Sequence, residues 1–128
     1  MEEERNPNTQ YAVVSRHRLH YGRLFFEVIA FGVIALLLGT IVALDLPIAW
    51  RPILAICGGG ALLMTAFIAY RLNRQEEAYA ALLVRIEQNQ AGWQASPAIG
   101  GVSSRHLMPI GLALAAIAIA ILGLWLAF

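Results

Sequence analysis

The chain has 128 residues, of which 59% are apolar and 13% charged, and a formal net charge of +1; its mean hydropathy is +0.66. Soluble domains average about 45–50% apolar, glycine included, and about 25% charged. These proportions exclude an ordinary soluble enzyme, a disordered tail and a basic nucleic-acid binder, and they point to a membrane.

The first 23 residues read as a cytoplasmic arm. Met1 to Gln10 is acidic and turn-rich and is expected to be disordered, while Tyr11 to Arg23 can form a short juxtamembrane helix with Tyr11, Val14 and Tyr21 on one side. Residues 24–46 form the first predicted transmembrane helix. They carry a single charge before Asp45, Glu27, within the first turn. A helix rises 1.5 Å per residue, so about 20 apolar residues cross a hydrocarbon core of about 30 Å. The run is too long for a cleaved signal, and Leu44-Asp45-Leu46-Pro47 offers no small-x-small site, so it is expected to remain as an anchor.

Residues 47–51 make a periplasmic turn, and 52–70, without a charge, are the second predicted span. Residues 71–90 follow as a cytoplasmic amphipathic helix continuous with it. Leu72, Tyr79, Leu82, Leu83 and Ile86 form one stripe at helical spacing, with Arg74, Glu77 and Gln88 opposite. Its charges nearly cancel, so docking onto a partner is favoured over lying on lipid. Residues 91–106 are a Gly/Ser/Pro-rich linker. Residues 107–128, again uncharged, are the third span. The expected fold class is therefore an all-α integral membrane protein, three transmembrane helices with a cytoplasmic extension of the second. In lipid only helices satisfy their own backbone in such segments.

Arginine placement sets the expected orientation. All nine basic residues are arginine, a bias usual in GC-rich bacterial genomes. Arg5, Arg16, Arg18 and Arg23 precede the first span; Arg71, Arg74, Arg85 and Arg105 lie between the second and third; the intervening turn has only Arg51. The positive-inside bias puts the N-terminus and the 71–106 segment in the cytoplasm and the C-terminus in the periplasm of a bacterial inner membrane. Tyr21 and Tyr70 fall at one boundary, Trp50 and Trp125 at the other, as interfacial aromatic belts require.

The candidate functional residues are few. Glu27 is the one charged residue within the apolar runs Leu24–Leu44, 52–70 and 107–128, near an end, and Arg23 one turn earlier can pair with it at the interface. A proton relay is the sharper alternative, yet the other polar residues there are only Thr40, Cys57 and Thr65. Small residues are more informative. Gly32, Ala35, Gly39 and Ala43 on the first span, Ala55 and Gly59 on the second, and Ala116, Ala120 and Gly123 on the third let helices approach closely. They serve packing within the chain or against a neighbouring subunit. Gly58-Gly59-Gly60 lacks the Lys-Ser/Thr of a phosphate loop.

His20 and His106 both lie about one turn from a span, where imidazole could ligate a haem or a chlorophyll-type pigment. With no Cys-x-x-Cys-His motif, the plain reading is polar interface residues, and no cofactor is expected. Cys57 alone forms neither a disulfide framework nor a metal framework, and no catalytic constellation is visible.

The leading expectation is a non-catalytic accessory or assembly subunit. It would contact lipids, and a larger complex (respiratory or photosynthetic electron transfer by analogy) or copies of itself, with no nucleic acid. A second reading is a self-assembling pore or membrane-disrupting effector. In layout alone, Tyr11 to Gln90 resembles the two-helix effector domains of bacterial defence systems, from which the third helix departs. A small transporter is disfavoured by the missing polar residues.

Overall fold

The computed structural model describes residues 7–90 and 104–127. Within them the chain is all-helical: α1 spans Pro7–Asp45, α2 spans Arg51–Gln88 and α3 spans Ser104–Ala127, with a single 3-10 turn, Ile48–Trp50, between the first two. All three helices contain a window long and apolar enough to cross a membrane.

α1 has 39 residues and α2 has 38, so each runs about 57–58 Å, nearly twice the thickness of a hydrocarbon core. The expected juxtamembrane helix and first span are one uninterrupted helix. Asn8 to Gln10, expected to be disordered, are helical and exposed, continuous with Tyr11, whose hydroxyl reaches Glu87 of α2. Met1 to Asn6, most of the expected linker (91–103) and Phe128 lie outside the described residues. α3 starts at Ser104, inside the segment expected to be linker.

The turn between α1 and α2 explains why an arginine stands on the arginine-poor side. Arg51 Nε donates to the Leu46 carbonyl at 3.1 Å and Nη2 to the Leu44 carbonyl at 3.2 Å. Those carbonyls have lost their intrahelical partners at the end of α1, and a cation there also complements the helix dipole. Pro52 follows within the first turn of α2, where its missing N–H costs nothing.

The architecture is an antiparallel three-helix arrangement with α2 in the middle. α1 and α3 pack on α2 and scarcely touch each other. The buried residues of α2 are Gly59, Leu62, Ala66, Ala69, Asn73, Glu76, Leu83 and Glu87. With half-buried Ala80 included, they alternate three and four apart, a sustained 3.5-residue repeat. α1 keeps the same rhythm through Gly22, Phe25, Ile29, Gly32 and Leu36, and α3 through Pro109, Leu112, Ala116, Ile119 and Gly123. This repeat belongs to left-handed, coiled-coil-like packing.

Small residues bring the backbones together. At Gly59 an added Cβ would lie 2.9 Å from the Ala116 carbonyl oxygen and 3.2 Å from Ala120 Cβ; at Gly123 it would lie 2.7 Å from Ala55 Cβ. At Gly32 it would meet Thr65 Cγ2 at 2.9 Å and Leu112 Cδ2 at 3.1 Å. All three helices converge at that level. Leu62, Ala66, Leu112 and Ala116 form the buried cluster beside it.

The outward faces are apolar. Phe31 is 69% exposed, Leu44 71% and Trp125 74%, among many other large side chains. A contiguous apolar coat of this extent is what lipid covers and water does not tolerate.

Candidate functional site, a carboxylate clasp beyond the apolar runs

The seam of α2 does not stop where its apolar run ends. Past Tyr70 the repeat continues, but Asn73, Glu76 and Glu87 occupy positions that would hold apolar residues in a plain bundle, and all three are buried. A buried carboxylate is tolerated only if charge or hydrogen bonds replace its water. Each has such a partner or places one.

Glu76 is the centre. Arg105, in the first turn of α3, hydrogen-bonds its Oε2, and Arg18 of α1 places Nε 3.7 Å from its Oε1. Gly22 of α1 lies beside this carboxylate, and a Cβ added there would be in ordinary contact, 3.5 Å, with Oε2. One carboxylate is thus held between all three helices. Arg105 also lies over the ring of Phe26 on α1, 5.2 Å from its centroid, a cation–π contact that fixes the guanidinium plane. Beside it, His106 Nε2 is 2.8 Å from Glu77 Oε1, and Asn73 Nδ2 donates to the same oxygen at 3.0 Å.

Further along, aromatic rings take over. Tyr79 on α2 stacks on Tyr21 with centroids 5.4 Å apart, and on His17 at 5.7 Å. Tyr11 near the start of α1 donates its hydroxyl to Glu87 Oε1 at 2.9 Å. That hydrogen bond to the carboxylate raises the Tyr11 phenol above its ordinary value, because ionisation would set two anions together.

The sequence-derived candidates distribute as follows. Arg23 Nε donates to Glu27 Oε1 at 2.7 Å, both well exposed. Gly32, Ala55, Gly59, Ala116, Ala120 and Gly123 lie at contacts within the chain, whereas Ala35, Gly39 and Ala43 line a groove. His20 is exposed, edge-on to Tyr21 at 5.9 Å, while His106 is engaged with Glu77. Among the described residues there is no cluster of three or more potential metal ligands.

The docking stripe is partly used inside the chain. Leu83 is buried and Tyr79 is stacked on α1, while Leu72 and Ile86 are half-buried and Leu82 is 42% exposed. Asn73, Glu76 and Glu87 are not among the site candidates read from the sequence. Extending the repeat Gly59-Leu62-Ala66-Ala69 forward finds these three, though not their partners Arg18, Arg105 and Tyr11 on the other helices.

The groove lies where α1 and α3 separate, on the side toward the α1–α2 turn. It encloses about 340 Å³ and is walled by Ala35, Gly39 and Ala43 of α1, Gly58 of α2, and Ile119 and Leu122 of α3. Added Cβ atoms at Gly39 and Gly58 would meet nothing within 4 Å, as is also true of Gly60 and Gly111 outside the groove. The span hydroxyls are satisfied locally: Thr40 donates to Leu36 O at 2.8 Å and Thr65 to Ala61 O at 2.9 Å. Such back-bonding is the ordinary state of helix threonines.

No protein-family model, curated protein or solved structure matches the chain.

Proposed function

We propose that the chain is a non-catalytic integral membrane subunit whose small-residue groove receives side chains from a helix of a neighbouring subunit. The observation that carries this reading is the division among its glycines. Gly32, Gly59 and Gly123 serve close contacts within the chain, while Gly39 and Gly58, both in the lining of the groove, sit mid-helix with nothing within 4 Å of an added Cβ. A helical glycine costs about 1 kcal/mol relative to alanine, and close approach of another backbone is what offsets it. The groove is too small for a helix but accepts side chains of one lying across it, which would complete a four-helix arrangement.

The remaining features fit this reading. Arginine placement favours the N-terminus and the α2–α3 connection on the cytoplasmic face of a bacterial inner membrane, and the C-terminus outside. The Glu76 clasp then lies on the cytoplasmic side, holding α1, α2 and α3 in register while the opposite half stays open for the partner. A neighbouring copy or a larger subunit supplies the fourth helix, and Leu82, the exposed part of the docking stripe, is a second place for contact.

The test is sizing of the tagged full chain in mild detergent, alongside Gly39→Leu and Gly58→Leu variants. The expected result is an assembly larger than a monomer that both variants disperse while their helix content is kept. A wild-type chain that runs as a monomer, in detergent and by cross-linking in native membranes, overturns the proposal. Dye leakage from vesicles holding the purified chain would instead favour the pore.

A further inference from the structure

We propose that the cleft between the first half of α1 and the start of α3 is a seat for the phosphodiester headgroup of an anionic phospholipid. The cleft encloses about 440 Å³, and Arg18, Arg23 and Arg105 all line it, with Glu76 at its back. Three guanidiniums thus face one carboxylate. Glu27 engages Arg23 without belonging to the lining, and the Arg18 approach to Glu76, at 3.7 Å, is loose. Positive charge is left over for an anion. Planar guanidinium forks match phosphate oxygens in bidentate geometry.

Two further observations select a lipid over a free anion. The same cleft is bordered by Leu19, 72% exposed, and Phe26, 47% exposed. Guanidiniums and bare apolar side chains in one cleft match a phosphate and the glycerol and acyl groups joined to it. Depth agrees as well. The apolar run of α1 begins at Leu24, so Arg23 and Gly22 stand about 2 and 3 Å beyond it along the helix. The Arg18 backbone, at about 9 Å, lies just past the headgroup layer, with a side chain long enough to reach it. The headgroup layer occupies roughly 5–7 Å on each side of the hydrocarbon. Basic pockets between helices on the cytoplasmic side are suited to such headgroups. The inference requires that the helices cross a bilayer, and it is independent of whether the groove on the other half binds a partner.

The experiment is native mass spectrometry of the full chain released from detergent with phosphatidylglycerol or phosphatidylcholine of matched acyl chains. The wild type is expected to retain phosphatidylglycerol about tenfold better. Arg18→Gln/Arg23→Gln, which leaves the Arg105–Glu76 contact in place, should bring the two lipids to near parity. Arg74→Gln/Arg85→Gln removes equal charge elsewhere and should leave the preference unchanged. Circular dichroism checks that both variants are helical. The proposal is overturned if the wild type shows no preference, or if the control pair loses as much as the cleft pair. It is equally overturned if millimolar inorganic phosphate displaces phosphatidylglycerol, which would mark a free-anion site.

Discussion

The guanidinium of Arg105 meets the carboxylate of Glu76 directly, and this contact fastens the first turn of α3 to α2 beyond the apolar runs of both helices. Because the intervening connection is long, the contact sets where α3 begins to pack. Glu76's side chain is 10% exposed, against 34% for Arg105 and 48% for Arg18. Its two partners can therefore regain water when it is removed. Breaking a fully buried pair costs about 3–5 kcal/mol; here Glu76→Ala should cost about 2 kcal/mol, and Glu76→Gln, which keeps an acceptor, about half of that. Denaturant unfolding in detergent measures both. A Glu76→Ala chain as stable as wild type would mean that the contact fastens nothing.

The three consecutive glycines of α2 should respond in opposite directions. At Gly59 a methyl group would press on the Ala116 carbonyl oxygen at 2.9 Å, a backbone atom with no rotamer to yield, whereas Gly58 and Gly60 face open space. Gly59→Ala should destabilise the dispersed chain by about 1–3 kcal/mol through overpacking. Gly58→Ala and Gly60→Ala should leave stability unchanged or raise it by up to about 1 kcal/mol. Thermal melts of the three single variants decide this, and equal effects at all three positions would refute the packing of α3 on α2.

The apolar helices were legible because lipid permits little else. An uncharged run such as Pro52 to Tyr70 can satisfy its backbone only as helix, and α2 contains it whole. In the sequence Glu76 and Glu87 enter only the charge balance of the 71–90 segment, where with Glu77 they nearly cancel Arg71, Arg74 and Arg85, and a carboxylate in an amphipathic segment is normally solvated. Their burial follows from a 3.5-residue repeat already set by Gly59, Leu62, Ala66 and Ala69, which carries Asn73, Glu76 and Glu87 inward. The partners were less accessible still. Tyr11 and Glu87 are 76 positions apart, and local periodicity on one helix says nothing about which residue of another will lie across from it. The small residues illustrate the same limit: spacing marked Gly39 and Gly59 alike, and only the placement of α3 separates the packed one from the open one.

Tyr11 should ionise at higher pH than an ordinary phenol, since its hydroxyl donates to Glu87 at 2.9 Å. A raised folded-state value means the folded chain holds this proton more tightly than the unfolded chain. The stability it contributes is thus fully present below the ordinary tyrosine value of about 10 and is lost as pH rises through the folded value. No pH dependence from this contact is expected near neutrality. Phenolate absorbance, taken as the difference between wild type and Tyr11→Phe, isolates the residue, and Glu87→Gln should bring its titration back down. A Tyr11 titration indifferent to Glu87→Gln would remove the tie between the start of α1 and the end of α2.

Cys57 offers a direct test that the exposed coat faces lipid. It is exposed on α2, six residues beyond the start of that helix at Arg51, and so about 9 Å inside it. In water, an exposed thiol reacts readily through its thiolate. In hydrocarbon a charged, membrane-impermeant reagent is excluded. In intact membranes Cys57 should resist a membrane-impermeant maleimide added to either side, whereas Ser15→Cys in a Cys57→Ala background should be modified from the arginine-rich side. After denaturation both should label fully. Rapid modification of Cys57 in sealed membranes would place α2 in an aqueous environment, and the apolar surface of the three helices would then need protein rather than lipid to cover it.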